Sequence, residues 1–177
     1  MNKRLNMGSG YINPPDWTNV DKLDYGGNTV ADVLEGLPYP DEHFDYILCN
    51  HSLQMIRFDD LPRALSELRR ILKICGTLRI LVPDFEWALT MRQTHQTSKL
   101  PIADYIEPTE DGKLLRFVFW HGDARSAFTM KSLTDTLNRN GFQNVRKCEF
   151  EQTYSEYPDI TSLDSRADES LIVEGIK

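Results

Sequence analysis

The chain has 177 residues, a length that sets an expectation of one domain able to bury a core of its own. Its 20 Lys and Arg against 27 Asp and Glu leave a net charge of −7, the reverse of the balance that wraps nucleic acid, so nucleic-acid binding is not expected. Three widely spaced cysteines exclude a disulfide framework, four scattered histidines give no metal-ligand cluster, and no apolar run approaches the roughly 18 residues that span a bilayer. The basic start Met1-Asn2-Lys3-Arg4 leads into Gly8-Ser9-Gly10 and not into an apolar signal core, so the expectation is a soluble cytoplasmic protein.

Short apolar runs alternate with helix-period segments, the pattern of an α/β domain. A first strand is expected at Arg4–Met7 and a second at Trp17–Asp21; Asn13-Pro14-Pro15-Asp16 between them cannot be a regular helix. A third short strand is expected over Thr29–Val33. Phe44–Cys49 is apolar and aromatic on both faces, as a central parallel strand requires. Over Asp59–Lys73, Leu61, Ala64, Leu65, Leu68, Ile71 and Leu72 form one stripe, with Asp59 or Asp60 as the cap, Pro62 in the first turn and Gly76 past the end.

Thr77–Val82 reads as a buried strand stopped by Pro83, and Asp84 as the cap of a helix carrying Phe85, Ala88, Leu89 and Met91. Gln96–Gly112, with Pro101 and Pro108, reads as a long loop inside an irregular insertion at about 96–118. Thr129 opens a helix with Met130, Leu133 and Leu137 inward, ended by Gly141. Two strands, about Val145–Phe150 and Ser170–Ile176, close the chain.

In an open parallel sheet, ligands bind at the carboxyl ends of the strands. Gly8-Ser9-Gly10 follows the first strand, and its glycines let a ligand approach backbone N–H groups; a Gly-Ser-Gly turn is equally a plain turn. Asp21 ends the second strand, where a carboxylate can accept both hydroxyls of a ribose or simply cap a turn; Asp24 competes for that role. Asp32-Val33 follows the third strand. There an acid beside an apolar residue can meet an exocyclic amine and a flat ring, or cover the core. Asn50-His51-Ser52 follows the central strand, with His51 either a ligand-facing group or a satisfied helix-start histidine.

Taken in order, Leu5-Asn6-Met7-Gly8-Ser9-Gly10, Asn19-Val20-Asp21, Gly36-Leu37-Pro38-Tyr39-Pro40-Asp41 with Phe44-Asp45, the helix ending in Leu72-Lys73, and Gly76-Thr77-Leu78-Arg79-Ile80-Leu81-Val82-Pro83-Asp84 resemble a class I S-adenosylmethionine-dependent methyltransferase. The type resembled is the small one with a shortened first crossover. Phe128-Thr129, Asn140-Gly141-Phe142 and Ser170–Gly175 agree, so the resemblance covers nearly the whole chain apart from about 96–118.

The resemblance implies a Rossmann-like fold: a mostly parallel seven-stranded sheet with the last strand antiparallel and helices on both faces, in one domain over residues 1–177. It implies S-adenosyl-L-methionine as cofactor, with S-adenosyl-L-homocysteine as product. Met7, Gly8, Ser9 and Gly10 would run along its methionine part, Asp21 would hold the ribose with Lys22 beside it, Asp32 and Val33 would face the adenine, and Asn50 and His51 would lie near the methionine end. Where relatives often carry Glu-His after the fourth strand and Lys-Pro-Gly-Gly before the fifth, this chain has Gln54-Met55 and Lys73-Ile74-Cys75-Gly76, and it lacks the long first crossover helix.

The expected reaction is methyl transfer to a small-molecule or glycan-linked acceptor. His51 and His121 are the candidates for removing a proton. The sequence also starts on its first strand, so a second copy or a partner subunit is expected to close the site. Two other readings stand beside this one: a non-catalytic or regulatory protein that binds the cofactor, and a nicotinamide oxidoreductase, which the absence of a third glycine and of a following helix opposes.

Overall fold

A computed structural model describes residues 3–177; Met1 and Asn2 of the basic start lie outside the described residues. The sheet has seven strands in the order β3-β2-β1-β4-β5-β7-β6. They are β1 Arg4–Met7, β2 Thr18–Asp21, β3 Thr29–Val30, β4 Phe44–Asn50, β5 Leu72–Pro83, β6 Gln143–Lys147 and β7 Ser170–Ile176. The first five run parallel, while β7 is antiparallel to both β5 and β6. The strand order reverses between β1 and β4, so the carboxyl ends of these two strands flank the crevice where such sheets bind ligands.

Four helices accompany the sheet among the described residues: α1 Leu61–Ile71, α2 Phe85–Gln93, α3 Glu110–Val118 and α4 Met130–Arg139. The apolar stripe of α1 buries Leu61, Ala64, Leu65, Leu68 and Ile71 against Leu5, Ile47, Leu78 and Val173 of the sheet. Each such leucine stabilises the fold by roughly 1.5–3 kcal/mol relative to exposure. The expected Asp59 or Asp60 cap does not form. A 3₁₀ turn over Phe58–Asp60 leads into the helix, and the Leu61 N–H already donates to the Arg57 carbonyl at 3.1 Å. Asp84 does cap α2, its carboxylate accepting from the Trp87 N–H at 3.0 Å.

The expected irregular insertion at about 96–118 contains a helix, α3, over its last nine residues. Thr109 caps it through the Gly112 N–H, Glu110 and Asp111 face its positive end, and Phe117 packs with Ala88, Met91, Leu100 and Ile102 in a small cluster of its own. The third strand is shorter than expected, two residues, and the strand beginning near Val145 starts at Gln143.

No helix links β1 to β2. In its place, two buried asparagines hold the short crossover. Asn6 donates to the Ile12 carbonyl and to Asn19 Oδ1, and Asn19 donates to the Pro14 and Trp17 carbonyls. The second face of the sheet is therefore covered by Trp17 and by the β6–β7 connection, whose only regular piece is a 3₁₀ turn at Pro158–Thr161.

Arg79 anchors that cover. It is fully buried and points, like Leu81, to the second face. Its guanidinium forms two bonds to Asp164, one to Glu174 at 2.7 Å and one to the Gln152 carbonyl at 3.0 Å. The two carboxylates in turn accept from the Glu151 and Tyr154 N–H groups. No helix among the described residues is long and apolar enough to cross a membrane.

Candidate active site

The first site element is the bend after β1. Gly8 and Ser9 both send their N–H groups to the Val20 carbonyl, which turns the chain sharply over the end of β2. Gly8 has φ +73°, and a Cβ there would lie 2.2 Å from Ser52 Cβ, so the loops after β1 and β4 meet at a point only glycine fits. Ser52 ties the two loops together by donating to the Met7 carbonyl at 2.8 Å. Gly10 has φ +52° and open space on the side where a Cβ would project.

Asp21 joins this bend to β2. One carboxylate oxygen accepts from the Gly10 N–H at 3.0 Å and the other from the Leu23 N–H at 3.1 Å. A carboxylate has about four lone-pair positions, so both oxygens retain capacity toward a pair of hydroxyls. Lys22 extends past Asp21 and pairs with Asp32 at 2.8 Å. Partial burial would raise the Asp32 carboxyl, but the Lys22 ammonium and the Leu34 N–H outweigh it and hold the group below its usual value. Val33 is buried among Val20 and Leu37 in the main core, beneath Asp32.

The loop after β4 supplies the rest. Asn50 is engaged on both sides of its amide, donating to the Leu163 carbonyl and accepting from Ser165. His51 adopts φ +51°, an uncommon backbone state for a residue with a Cβ. Its Nε2 lies 2.8 Å from Ser170 Oγ, while its Nδ1 is buried without a partner. Burial, reinforced by the charge of Arg166, lowers its pKa to about 3, so the ring is neutral. Gln54 donates to the His51 carbonyl and leaves its own buried Oε1 unpaired. Beside Gln54 lies a narrow crevice of about 10 Å³, room for about one water molecule, lined by Pro83, Phe85, Phe117, Ser126 and Phe128.

The structure thus brings Met7, Gly8, Ser9, Gly10 and Asp21 together, with Lys22 and Asp32 in one ion pair and His51 across the β1–β4 gap. His121 is exposed on a strained turn, with Trp120 and His121 both at positive φ and their rings 6.0 Å apart. Arg166, stacked 4.2 Å over Trp120, connects that turn to the side of the site where its charge reaches His51. Sequence reasoning missed Ser170 and Arg166. Neither carries a local signal, since Ser170 meets His51 from 119 residues away.

The fold is shared with known proteins. The family described as methyltransferase domain matches residues 17–80. The whole chain superimposes on an S-adenosylmethionine-dependent methyltransferase of Thermotoga maritima, a possible histamine N-methyltransferase, with a TM-score of 0.62, 22% identity, and 100% and 83% of the two chains covered. The chain has the fold of these S-adenosylmethionine-dependent methyltransferases. The same methyltransferase architecture recurs in the 1,6-didemethyltoxoflavin-N1-methyltransferase of Burkholderia thailandensis, a structure with S-adenosylhomocysteine bound. There the TM-score is 0.59 and the identity 14%, over 99% of this chain and 71% of that one. A probable methyltransferase of Aspergillus luteorubrus, ltbC, is 48% identical over 49 residues, 27% of this methyltransferase-fold chain and 17% of that protein's length.

Proposed function

We propose that the protein binds S-adenosyl-L-methionine across the carboxyl ends of β1, β2 and β4 and is an S-adenosylmethionine-dependent methyltransferase acting on a small-molecule or glycan-linked acceptor. The observation that carries the reading is the distribution of orphaned polar atoms. Ser9 Oγ, Asn13 Oδ1, His51 Nδ1 and Gln54 Oε1 are buried without a partner, and all lie in the loops that follow β1 and β4. Buried polar groups are nearly always paired, and each unpaired one costs about 1–3 kcal/mol. Four of them flanking the topological switch point fit a polar ligand.

Met7, Gly8, Ser9 and Gly10 form the floor under the amino-acid part, Asp21 holds the ribose hydroxyls with Lys22 beside it, and Asp32 sits at the adenine end with Val33 supporting it from the core. Asn50 and His51 border the reacting end. When bound, the cofactor supplies an activated methyl group on a sulfonium. The chain's part is position and dryness: His51 offers a neutral nitrogen, and the apolar walls of Phe85, Phe117 and Phe128 beside Gln54 exclude water there. His121, exposed at the rim, is the candidate for taking up a proton. Residues 1–177 form one domain in this reading, with 96–118 as an insertion whose Phe117 and Val118 border the Gln54 crevice. Exposed Tyr11, Ile12 and Leu23 next to the bend give a second copy or partner subunit a surface for closing the site. The free cysteines fit a cytoplasmic location.

Calorimetry with S-adenosyl-L-homocysteine tests the reading, followed by incubation of the protein with labelled S-adenosyl-L-methionine and a panel of metabolites and nucleotide sugars. Saturable binding and a labelled product support it. Binding without any product supports the non-catalytic reading, which the missing crossover helix favours. No binding at saturating concentration overturns both.

A further inference from the structure

We propose that Ser170 is a positioning residue: it accepts a hydrogen bond from His51 Nε2, fixes the imidazole as the Nε2–H tautomer and keeps Nδ1 bare to receive an N–H or O–H group of the methyl acceptor. The inference rests on the site reading given above and adds the class of acceptor that the site recognises.

The argument is a count of hydrogens. Ser170 Oγ carries one hydrogen and has three neighbours: His51 Nε2 at 2.8 Å, the Arg166 carbonyl at 2.7 Å and the Ser165 carbonyl at 3.3 Å. Carbonyl oxygens only accept. If the hydroxyl donated to His51, two oxygens would face each other at 2.7 Å with no hydrogen between them. The hydroxyl therefore donates to a carbonyl, and its oxygen accepts from Nε2–H. A neutral imidazole has one N–H, so Nδ1 is left as a lone pair.

Nδ1 is buried and unpaired, and Gln54 Oε1, another unpaired acceptor, belongs to the amide that holds the His51 carbonyl. Each of these acceptors lacks a donor within the chain, which leaves the Nδ1 lone pair open to a donor from outside it. The neighbouring Arg166 charge, together with burial, opposes protonation of the ring. His51 therefore orients an N–H or O–H group without keeping its proton.

The test is long-range proton–nitrogen correlation spectroscopy on the ¹⁵N-labelled full chain, with the His51 signals assigned by their loss in His51→Gln. A single tautomer with protonated Nε2 and bare Nδ1 is expected. Ser170→Ala should give mixed tautomers, and Ser170→Thr should restore the single one. A role confined to stability would lower the melting temperature and leave the ring nitrogen shifts in place. A protonated Nδ1 or mixed tautomers in the native chain, or an unchanged spectrum in Ser170→Ala, overturns the inference; should that variant fail to fold, the native and Ser170→Thr spectra decide. Calorimetry with S-adenosyl-L-homocysteine on the same samples separates the two failures. Binding together with mixed tautomers sinks this inference alone. A fixed tautomer without binding sinks the cofactor reading, and with it the role given to Nδ1.

Discussion

Replacing Arg79 by Met removes the one cation from a buried triad and leaves the methylene stem nearly unchanged in volume. Arg79 and Asp164 have no exposed side-chain surface and Glu174 has 4%. Two carboxylates and the Gln152 carbonyl would lose their shared partner in a place water does not reach. Breaking a buried pair from one side typically costs about 3–5 kcal/mol, because the surviving charge stays buried. For a domain of this length each kcal/mol lowers the melting temperature by about 2–4 °C, so Arg79→Met should melt roughly 6–20 °C lower. Urea unfolding followed by circular dichroism gives the free energy, and a thermal scan gives the shift. The control is Arg92→Met: Arg92 pairs with Asp111, which is 76% exposed, and such surface pairs contribute at most about 1 kcal/mol. Equal, small losses in the two variants would show that the triad is solvated in solution, and the account of the second face would fail.

Asp21→Ala should weaken S-adenosyl-L-homocysteine binding by about 1–3 kcal/mol, roughly 5- to 150-fold in Kd by calorimetry; unchanged affinity would remove Asp21 from the site. Gly8→Ala puts a Cβ 2.2 Å from Ser52 Cβ at φ +73°, and should cost about 2–4 kcal/mol in urea unfolding. Adding Ser52→Gly should return at least about 1 kcal/mol of it, and strict additivity of the two changes would refute the contact. His51 binds its proton near pH 6.5 when unfolded but only near pH 3 when folded, so stability is full above 6.5 and falls as the pH drops below it. The loss by pH 5 should be about 2 kcal/mol in the native chain and mostly absent in His51→Gln; parallel pH profiles would contradict the burial of the ring.

Much of the sheet was legible because apolar spacing is local. Phe44–Asn50 alternates between two buried faces and could hardly be anything but a central strand, and the α1 stripe repeats at helical spacing. Helix α3 escaped because Pro101, Pro108 and the charged run around it mask a short segment whose apolar residues face α2 and not the main core. The Asp21 half of the site was visible as an acid at a strand end beside a glycine bend. The His51 half was visible only as a residue type. Its partners Ser170 and Arg166 return from the far end of the chain, where hydrogen bonding leaves no periodic trace.

The absent first crossover helix explains where the buried polar residues stand. A helix on the second face would bring an apolar stripe, and the sheet would meet it with apolar side chains. This sheet instead directs Asn6, Asn19, Arg79 and Glu174 toward that side, all of them buried. Irregular chain cannot satisfy its own backbone as a helix does, so it needs side-chain partners from the strands beneath. Asn6 and Asn19 serve carbonyls of the crossover, and Arg79, Asp164 and Glu174 serve the segment from Glu151 to Tyr154. The same connection then reaches the site: Leu163 and Ser165 bind Asn50, and Ser170 binds His51. The cover of the second face and the shaping of the candidate site are one structural device, so a shortened crossover and a polar partner for His51 from the last loop belong together.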